Sequence, residues 1–237
     1  MSKNSSIHPC DLCASRKFSM FSDLTEEQAC NISDNKNMIS HRKGQMLYYE
    51  GAKPLGVYCV NSGVVKVYKT ASNGKEQIIH LTNKGGLLGY SALLGEENYS
   101  NSAMVIEDAK ICFIPKESFL KTVISNGPFF TKLTKALSHE IGVMEEKLVD
   151  ASQKSIRERL AYLLLQLAST YGLDGSEPQQ INLVLSREEL ASLIGTATES
   201  VIRLLSEFKK DKLIELKGKK IIILDKNGLV KLSDFYG

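Results

Sequence analysis

The chain has 237 residues, 43% of them hydrophobic and 24% charged, with a formal net charge of +3. That length suits two domains, and the balance is that of a globular protein able to bury real cores without staples. No apolar run reaches bilayer length, and the first six residues lack the apolar stretch of a secretory signal, so a cytoplasmic protein with no membrane role is expected.

Five cysteines, an odd number, point in such a chain to thiols or ligands rather than disulfides. Residues 1–20 form a polar N-terminal segment that carries Cys10-Asp-Leu-Cys13. A helix follows, capped by Ser22 or Thr25, with Glu26 and Glu27 suited to its first turn. From about Ile39 to Pro115 the apolar residues come in short runs broken by glycine. Lys43-Gly44 and Glu50-Gly51 read as turns, 57–60 as a strand, Ser62-Gly63 as a turn and 64–68 as a second strand. Asn73-Gly74 is the strongest hairpin signal in the chain, and 77–81 answers it. Strands at 104–106 and 111–114 are parted by Glu107-Asp108-Ala109. Many short strands at this spacing predict a sandwich or barrel.

After Pro115 the period becomes helical. A short helix spans about 116–125, and Asn126-Gly127 ends it. Pro128 can open a longer helix, because its missing N–H costs nothing in a first turn. That helix runs to about Ser152, with apolar positions Phe130, Leu137, Ile141, Met144, Leu148 and Ala151. From Leu137 the spacing alternates four and three, the seam of a coiled coil. The expected use is a parallel homodimer; the alternative is packing on the chain's own strands. Ser155 with Glu158 makes a capping box for a helix through Leu160 to Tyr171, with a hinge near 152–154. A loop at 172–180 and a short strand at 181–185 come next.

Residues 186–208 hold the most informative pattern. Ser186 and Glu189 make a second capping box before Leu190, Leu193 and Ile194. Gly195 ends the helix in a left-handed cap. Thr196 with Glu199 repeats the capping spacing and opens another helix, whose inward face is Val201, Leu204, Leu205 and Phe208. Thr198, Glu199, Ile202, Arg203 and Ser206 fall on the opposite face. Arginine can donate two bonds to guanine, glutamate can accept from cytosine, and isoleucine can touch a thymine methyl. A helix-turn-helix lays its second helix in the major groove, N-terminal end lowest. Beyond it, 213–216 and 221–224 flank Lys217-Gly-Lys-Lys220, a hairpin with a basic tip. Lys209, Lys210 and Lys212 add charge beside it, where phosphate contacts would help.

This stretch resembles the helix-turn-helix of the Crp/Fnr family of bacterial transcription regulators. Glu199 and Arg203 match the family's Glu-x-x-x-Arg, and Ser186-Arg187 matches a hydroxyl–Arg pair that meets phosphates there. The resemblance implies a DNA-contacting set of Ser186, Arg187, Thr196, Thr198, Glu199, Ser200, Ile202, Arg203, Lys217 and Lys219. The strand-rich part resembles the family's cyclic-nucleotide-binding roll through Lys43 to Leu47, Glu50-Gly51 and Val60 to Lys66. These are mostly turn glycines, which support a fold and not a ligand. Cyclic-nucleotide binders of the family follow a Gly-Glu pair with an Arg for the phosphate. Here Tyr90 stands after Gly89, and Ser100 or Asn101 stands at the Arg position. A buried phosphate needs a counter-charge, so cyclic AMP or GMP is not expected. A pocket of Gly89, Tyr90, Ser91, Ser100 and Asn101 remains as a site for another effector.

The family's Fnr branch holds an iron–sulfur cluster on cysteines, and such clusters want four thiolates. Cys10, Cys13 and Cys112 match three of its positions, but Ser19 falls where a ligand is needed. The cluster is therefore disfavoured; a Cys10–Cys13 thiol switch and incidental cysteines are the alternatives, and the cofactor stays open. The expected fold class is α+β: an N-terminal double-stranded β-roll of jelly-roll type, a long dimerisation helix and a C-terminal winged helix-turn-helix. The expected boundaries are 1–20 for the N-terminal segment, 21–126 for the sensor, 127–154 for the helix and hinge, and 155–237 for the DNA-binding domain. The expected function is sequence-specific DNA-binding regulation of transcription, with near-palindromic duplex DNA, a second copy and RNA polymerase as partners. An iron–sulfur or thiol-based oxygen, redox or nitric-oxide sensor is one alternative. A ligand-sensing regulatory subunit without DNA binding is another. An enzyme is not expected, because His8, His41, His80 and His139 are scattered and no nucleophile–base set appears.

Overall fold

The computed structural model describes Cys13, residues 15–172 and residues 179–233. The chain divides into two units, Met1–Ile141 and Gly142–Gly237. The division falls inside one long helix.

The first unit begins with two 3-10 turns, Arg16–Phe18 and Met20–Asp23, and helix α1, Glu26–Asn35. Thr25 caps α1 with a full capping box to Gln28; of the two caps weighed from the sequence, it is the one used. The strands are β1 (Asn37–His41), β2 (Met46–Tyr48), β3 (Gly56–Thr70), β4 (Glu76–Thr82), β5 (Leu87–Leu88) and β6 (Ser102–Pro115), with a five-residue helix α2 (Tyr90–Leu94) after β5. They pair in the order β1-β6-β3-β4, with β2 on β6 and β5 on β3, every pair antiparallel.

The sequence divides 57–68 into two strands at Ser62-Gly63, and 104–114 at Glu107 to Ala109. The chain instead makes one strand of 15 residues and one of 14, bent at those places. The register of β3 on β6 shifts between Val60 and Val65, so the turn signals act as bulges that curl a continuous ladder. Gly63 lies at φ +86, and a Cβ there would sit 2.4 Å from the Asp108 carbonyl oxygen. Only glycine fits where the two bends cross.

The curled sheet has two cores. Tyr48, Val60, Val65, Tyr99, Val105 and Ile111 fill the inside of the roll. On its outer face Val57 and Ile114 meet the helices. Those helices are α1, α3 (Lys116–Ser125) and the start of α4 (Gly127–Gln153), which is 27 residues long. The Asn126 side chain accepts from the Phe129 N–H at 2.9 Å and so caps α4. Its amide donates to Gln28 Oε1 at 2.7 Å, tying α4 to the cap of α1. Phe129 and Leu133 are the buried residues of α4. Phe130, Ile141, Met144 and Leu148 are exposed, while Leu137 packs partly on the roll's own core.

The second unit holds α5 (Ile156–Tyr171), β7 (Gln179–Gln180), α6 (Arg187–Ile194), α7 (Thr198–Lys210), β8 (Ile214–Lys217), β9 (Lys220–Ile223) and α8 (Lys226–Ser233). Its sheet runs β7-β9-β8. The strand expected at 181–185 is reduced to a single bridge from Ile181 to Gly172, and the pairing falls earlier, on β7.

Phe129 stacks on Phe21 at 5.4 Å and meets Phe119 edge-on at 6.1 Å. Phe129→Ala is expected to remove about 3–5 kcal/mol from the stability of the first unit. Urea unfolding followed by circular dichroism would show this as a lower midpoint for that unit's transition.

Candidate nucleic-acid interface and sensor roll

Ser186 caps α6 with a complete capping box to Glu189. Gly195 ends α6 at φ 69, and its N–H returns to the Ala191 carbonyl. The next helix starts differently from the sequence expectation. Its N-cap is Ala197, with no side-chain cap bond, so Thr196 is displaced from the capping place. The change has a chemical consequence. The Glu199 carboxylate is not engaged by a cap and stays exposed in the first turn of α7.

Val201, Leu204, Leu205 and Phe208 are buried, which fixes the rotation of α7. Glu199, Ile202, Arg203 and Ser206 lie on the exposed face. Thr196, Thr198 and Ser200 are half-buried. The Arg203 side chain is 72% exposed, its Nε 3.9 Å from Glu207 Oε1, so it is loosely tethered and able to reach outward. Ser206 donates to the Ile202 carbonyl at 2.9 Å.

Arg157 of α5 secures the far end of α7. Its guanidinium pairs with Glu207 at 2.9 Å and Asp211 at 2.8 Å, and lies 4.9 Å over the Phe208 ring. Sequence reasoning missed this brace, because nothing local links positions 50 residues apart. The wing is the two-residue turn between β8 and β9, with Lys217 opposite Lys220 and Gly218 at φ +62. Lys217 and Lys219 are exposed. Arg187 is half-buried, and its Nη2 donates to the Gly218 carbonyl at 3.5 Å, so it links α6 to the wing. Its other terminal nitrogen, Nη1, is buried with no hydrogen-bond partner. Burial lowers the pKa of this arginine from its ordinary value.

In the roll, the five expected effector residues lie in different surroundings. Tyr90 is buried against the helix-side core, and its hydroxyl donates to Glu140 Oε1 of α4 at 2.8 Å. Ser91 and Ser100 are exposed. Asn101 accepts from the Tyr48 hydroxyl at 3.3 Å. Gly89 lies at φ +81 with the Tyr99 ring 3.0 Å from where its Cβ would be. Three tyrosines occupy the interior. Tyr48 stacks on Tyr99 at 3.9 Å and meets Tyr58 at 5.8 Å. They come from distant parts of the chain, so no motif announced them.

Of the cysteines matched to a cluster, Cys10 lies outside the described residues. Cys13 and Cys112 line one small cavity of about 30 Å³, together with Ser19 and a third thiol, Cys59. Among the described residues no three Cys, His, Asp or Glu side chains stand close enough to hold a metal ion. The described set therefore does not fit an iron–sulfur cluster.

A family model described as a cyclic nucleotide-binding domain matches residues 38–126, and one described as a Crp-like helix-turn-helix domain matches 158–232. The fumarate and nitrate reduction regulatory protein of Vibrio cholerae is 30% identical over 208 residues, 87% of this chain and 82% of that protein. The protein of the same name in Escherichia coli is 28% identical over 207 residues, again 87% and 82%. The chain belongs to the Crp/Fnr family. It is a DNA-binding transcription regulator of that family. Two solved structures share the fold. A Crp/Fnr-family regulator of Eubacterium rectale superposes with a TM-score of 0.73 at 22% identity, over 90% of this chain and 97% of that one. FixK2 of Bradyrhizobium japonicum gives 0.73 at 23% identity, over 83% and 96%. No helix among the described residues is long and apolar enough to cross a membrane.

Burial raises the phenol pKa values of Tyr48, Tyr90 and Tyr99, with the Glu140 carboxylate adding to the shift of Tyr90. A raised phenol keeps its proton longer in the folded state than in the unfolded chain. Its contribution is complete below the ordinary value of 10.0 and is lost as pH climbs above it. The share of stability carried by these phenols is expected to hold flat up to about pH 10 and then fall. Tyrosinate absorbance of the buried set should rise only together with unfolding; a full rise near pH 10 in folded protein would contradict the packing.

Proposed function

We propose that the regulator works as a homodimer joined along α4 and reads a near-palindromic duplex site with α7 of each copy. The observation that carries this reading is the divided surface of α7: four apolar residues buried, and Glu199, Ile202, Arg203 and Ser206 outward. Arg203 offers two donors to a guanine edge, and Glu199, free of the cap, offers an acceptor to a cytosine amino group. Thr196, Thr198 and Ser200 follow the backbone beside them. Ser186, Arg187 and the wing lysines Lys217 and Lys219 contact phosphates, fixing the register rather than the sequence. RNA polymerase is the further partner, met on the DNA in the cytoplasm. The protein acts by binding and carries out no reaction.

The dimer is supported by the exposed apolar positions of α4. Phe130 is 53% exposed, Ile141 59%, Met144 49% and Leu148 74%. Ala151 continues the stripe, and Leu137 is shared with the roll. A single helix leaves such a stripe in water only when something covers it, and a self-complementary helix pairs in parallel through a seam of this spacing.

The signal enters the roll, and it is not a cyclic nucleotide. Between Leu87 and Ser102 there is no lysine or arginine to meet a phosphate, and stacked tyrosine rings occupy the interior.

Arg203→Ala is expected to cost about 1–3 kcal/mol in binding to the preferred sequence and to relax preference at one base pair per half-site. Fluorescence anisotropy on a set of single-base variants measures both. Unchanged affinity with the preferred sequence would remove Arg203 from the base-reading role. Leu148→Glu is expected to shift the protein to monomer in analytical ultracentrifugation. A dimer of unchanged strength would place the interface elsewhere.

A further inference from the structure

The roll contains a pair of thiols that DNA reading leaves unused. Cys59 of β3 and Cys112 of β6 are direct cross-strand partners in the antiparallel ladder. Both line the same cavity. None of the four described cysteines is in a disulfide.

The ladder fixes how near the two backbones come. Val60 donates its N–H to Gly86 and accepts from Gly85, so its backbone groups point away from β6. Strand alternation then turns the backbone groups of Cys59 toward β6, which makes Cys59 and Cys112 a hydrogen-bonded pair. Such pairs hold their Cα atoms about 5.5 Å apart, within the range that disulfides favour, about 5.5–6 Å. Their Cβ atoms start about 4.5–5.5 Å apart, so bond formation asks for a small closing movement of two side chains on one face.

We propose that Cys59 and Cys112 form an oxidisable thiol pair that a hydroperoxide converts to a cross-strand disulfide. The cavity of about 30 Å³ between them and the N-terminal turns has room for one water-sized molecule, and hydrogen peroxide is little larger. Cys59 is half-buried and Cys112 is 5% exposed, so Cys59 meets the oxidant first. Its sulfur attacks one peroxide oxygen, the O–O bond breaks, and the leaving hydroxide takes the thiol proton as water. Cys59 is now a sulfenic acid. The Cys112 sulfur attacks the Cys59 sulfur, the S–O bond breaks, and a second water leaves with the Cys112 proton. The two thiols lose two electrons and the peroxide gains them.

Cys13 lines the same cavity, but its sulfur accepts from Asn61 Nδ2 at 3.2 Å and it has no ladder partner among the thiols. Cys30 is exposed on α1 and does not line the cavity. The pairing rests on the sheet register and is independent of how α7 meets DNA.

The test is peptide mapping. Reduced, folded protein is treated with hydrogen peroxide, quenched with N-ethylmaleimide, digested without reductant and analysed by mass spectrometry. The expected result is one peptide pair linked through Cys59 and Cys112, with an intact mass lower by two hydrogens. Cys59→Ser is expected to abolish the link and leave Cys112 to be alkylated once the protein is unfolded. Linkage of either residue to Cys13, or recovery of both as thiols or separate oxyacids, would overturn the pairing.

Discussion

The rotation of α7 is the constraint on which the functional surface depends. Val201, Leu204, Leu205 and Phe208 can be removed from water on only one side of a helix, so the residues between them must face out. Each fully buried side chain of this kind is worth about 1.5–3 kcal/mol, which makes any other rotation costly. The ends are held as well. Gly195 sets the turn into α7 with a left-handed cap, and Arg157 holds its last turns through Glu207, Asp211 and the Phe208 ring. A reading helix must present its side chains in one register to gain discrimination from them. Arg203 and Glu199 reach out from a rigid support rather than a loop.

The first unit is built differently. Its two longest strands share one ladder, bent together where Gly63 passes Asp108 and Ala109. One face of that ladder closes around tyrosines; the other receives α1, α3 and the start of α4. Tyr90 belongs to the helix-side core. It opens α2, one residue after β5, and donates to Glu140 on α4, which ties α2 to α4. The thiol pair lies on the helix-side face of the same ladder.

The helix pair was legible from the sequence because capping and periodicity are local. Ser186, Glu189, Gly195 and the apolar spacing of α7 are decided within a few residues. The same rule misplaced the start of α7: Thr196 and Glu199 have the spacing of a capping box, yet Ala197 is the N-cap. The α4 stripe was legible by spacing, whereas the sharing of Leu137 with the roll core depends on how that helix lies on α1 and α3. The bent strands were read as four, because Ser62-Gly63 and Glu107-Asp108 carry turn residues that a bulge uses equally well. What the sequence could not reveal was register between distant strands. That register places Cys59 opposite Cys112, and long-range packing brings Tyr48 onto Tyr99.

The central claim is that two copies of α7 read duplex DNA as a fixed pair. The most direct measurement is selection of bound duplexes from a random library by the full-length protein, followed by sequencing. The account predicts enrichment of an inverted repeat whose half-sites are centred about one helical turn apart, roughly 10 base pairs. Enrichment of an isolated half-site, or of no sequence, would contradict it.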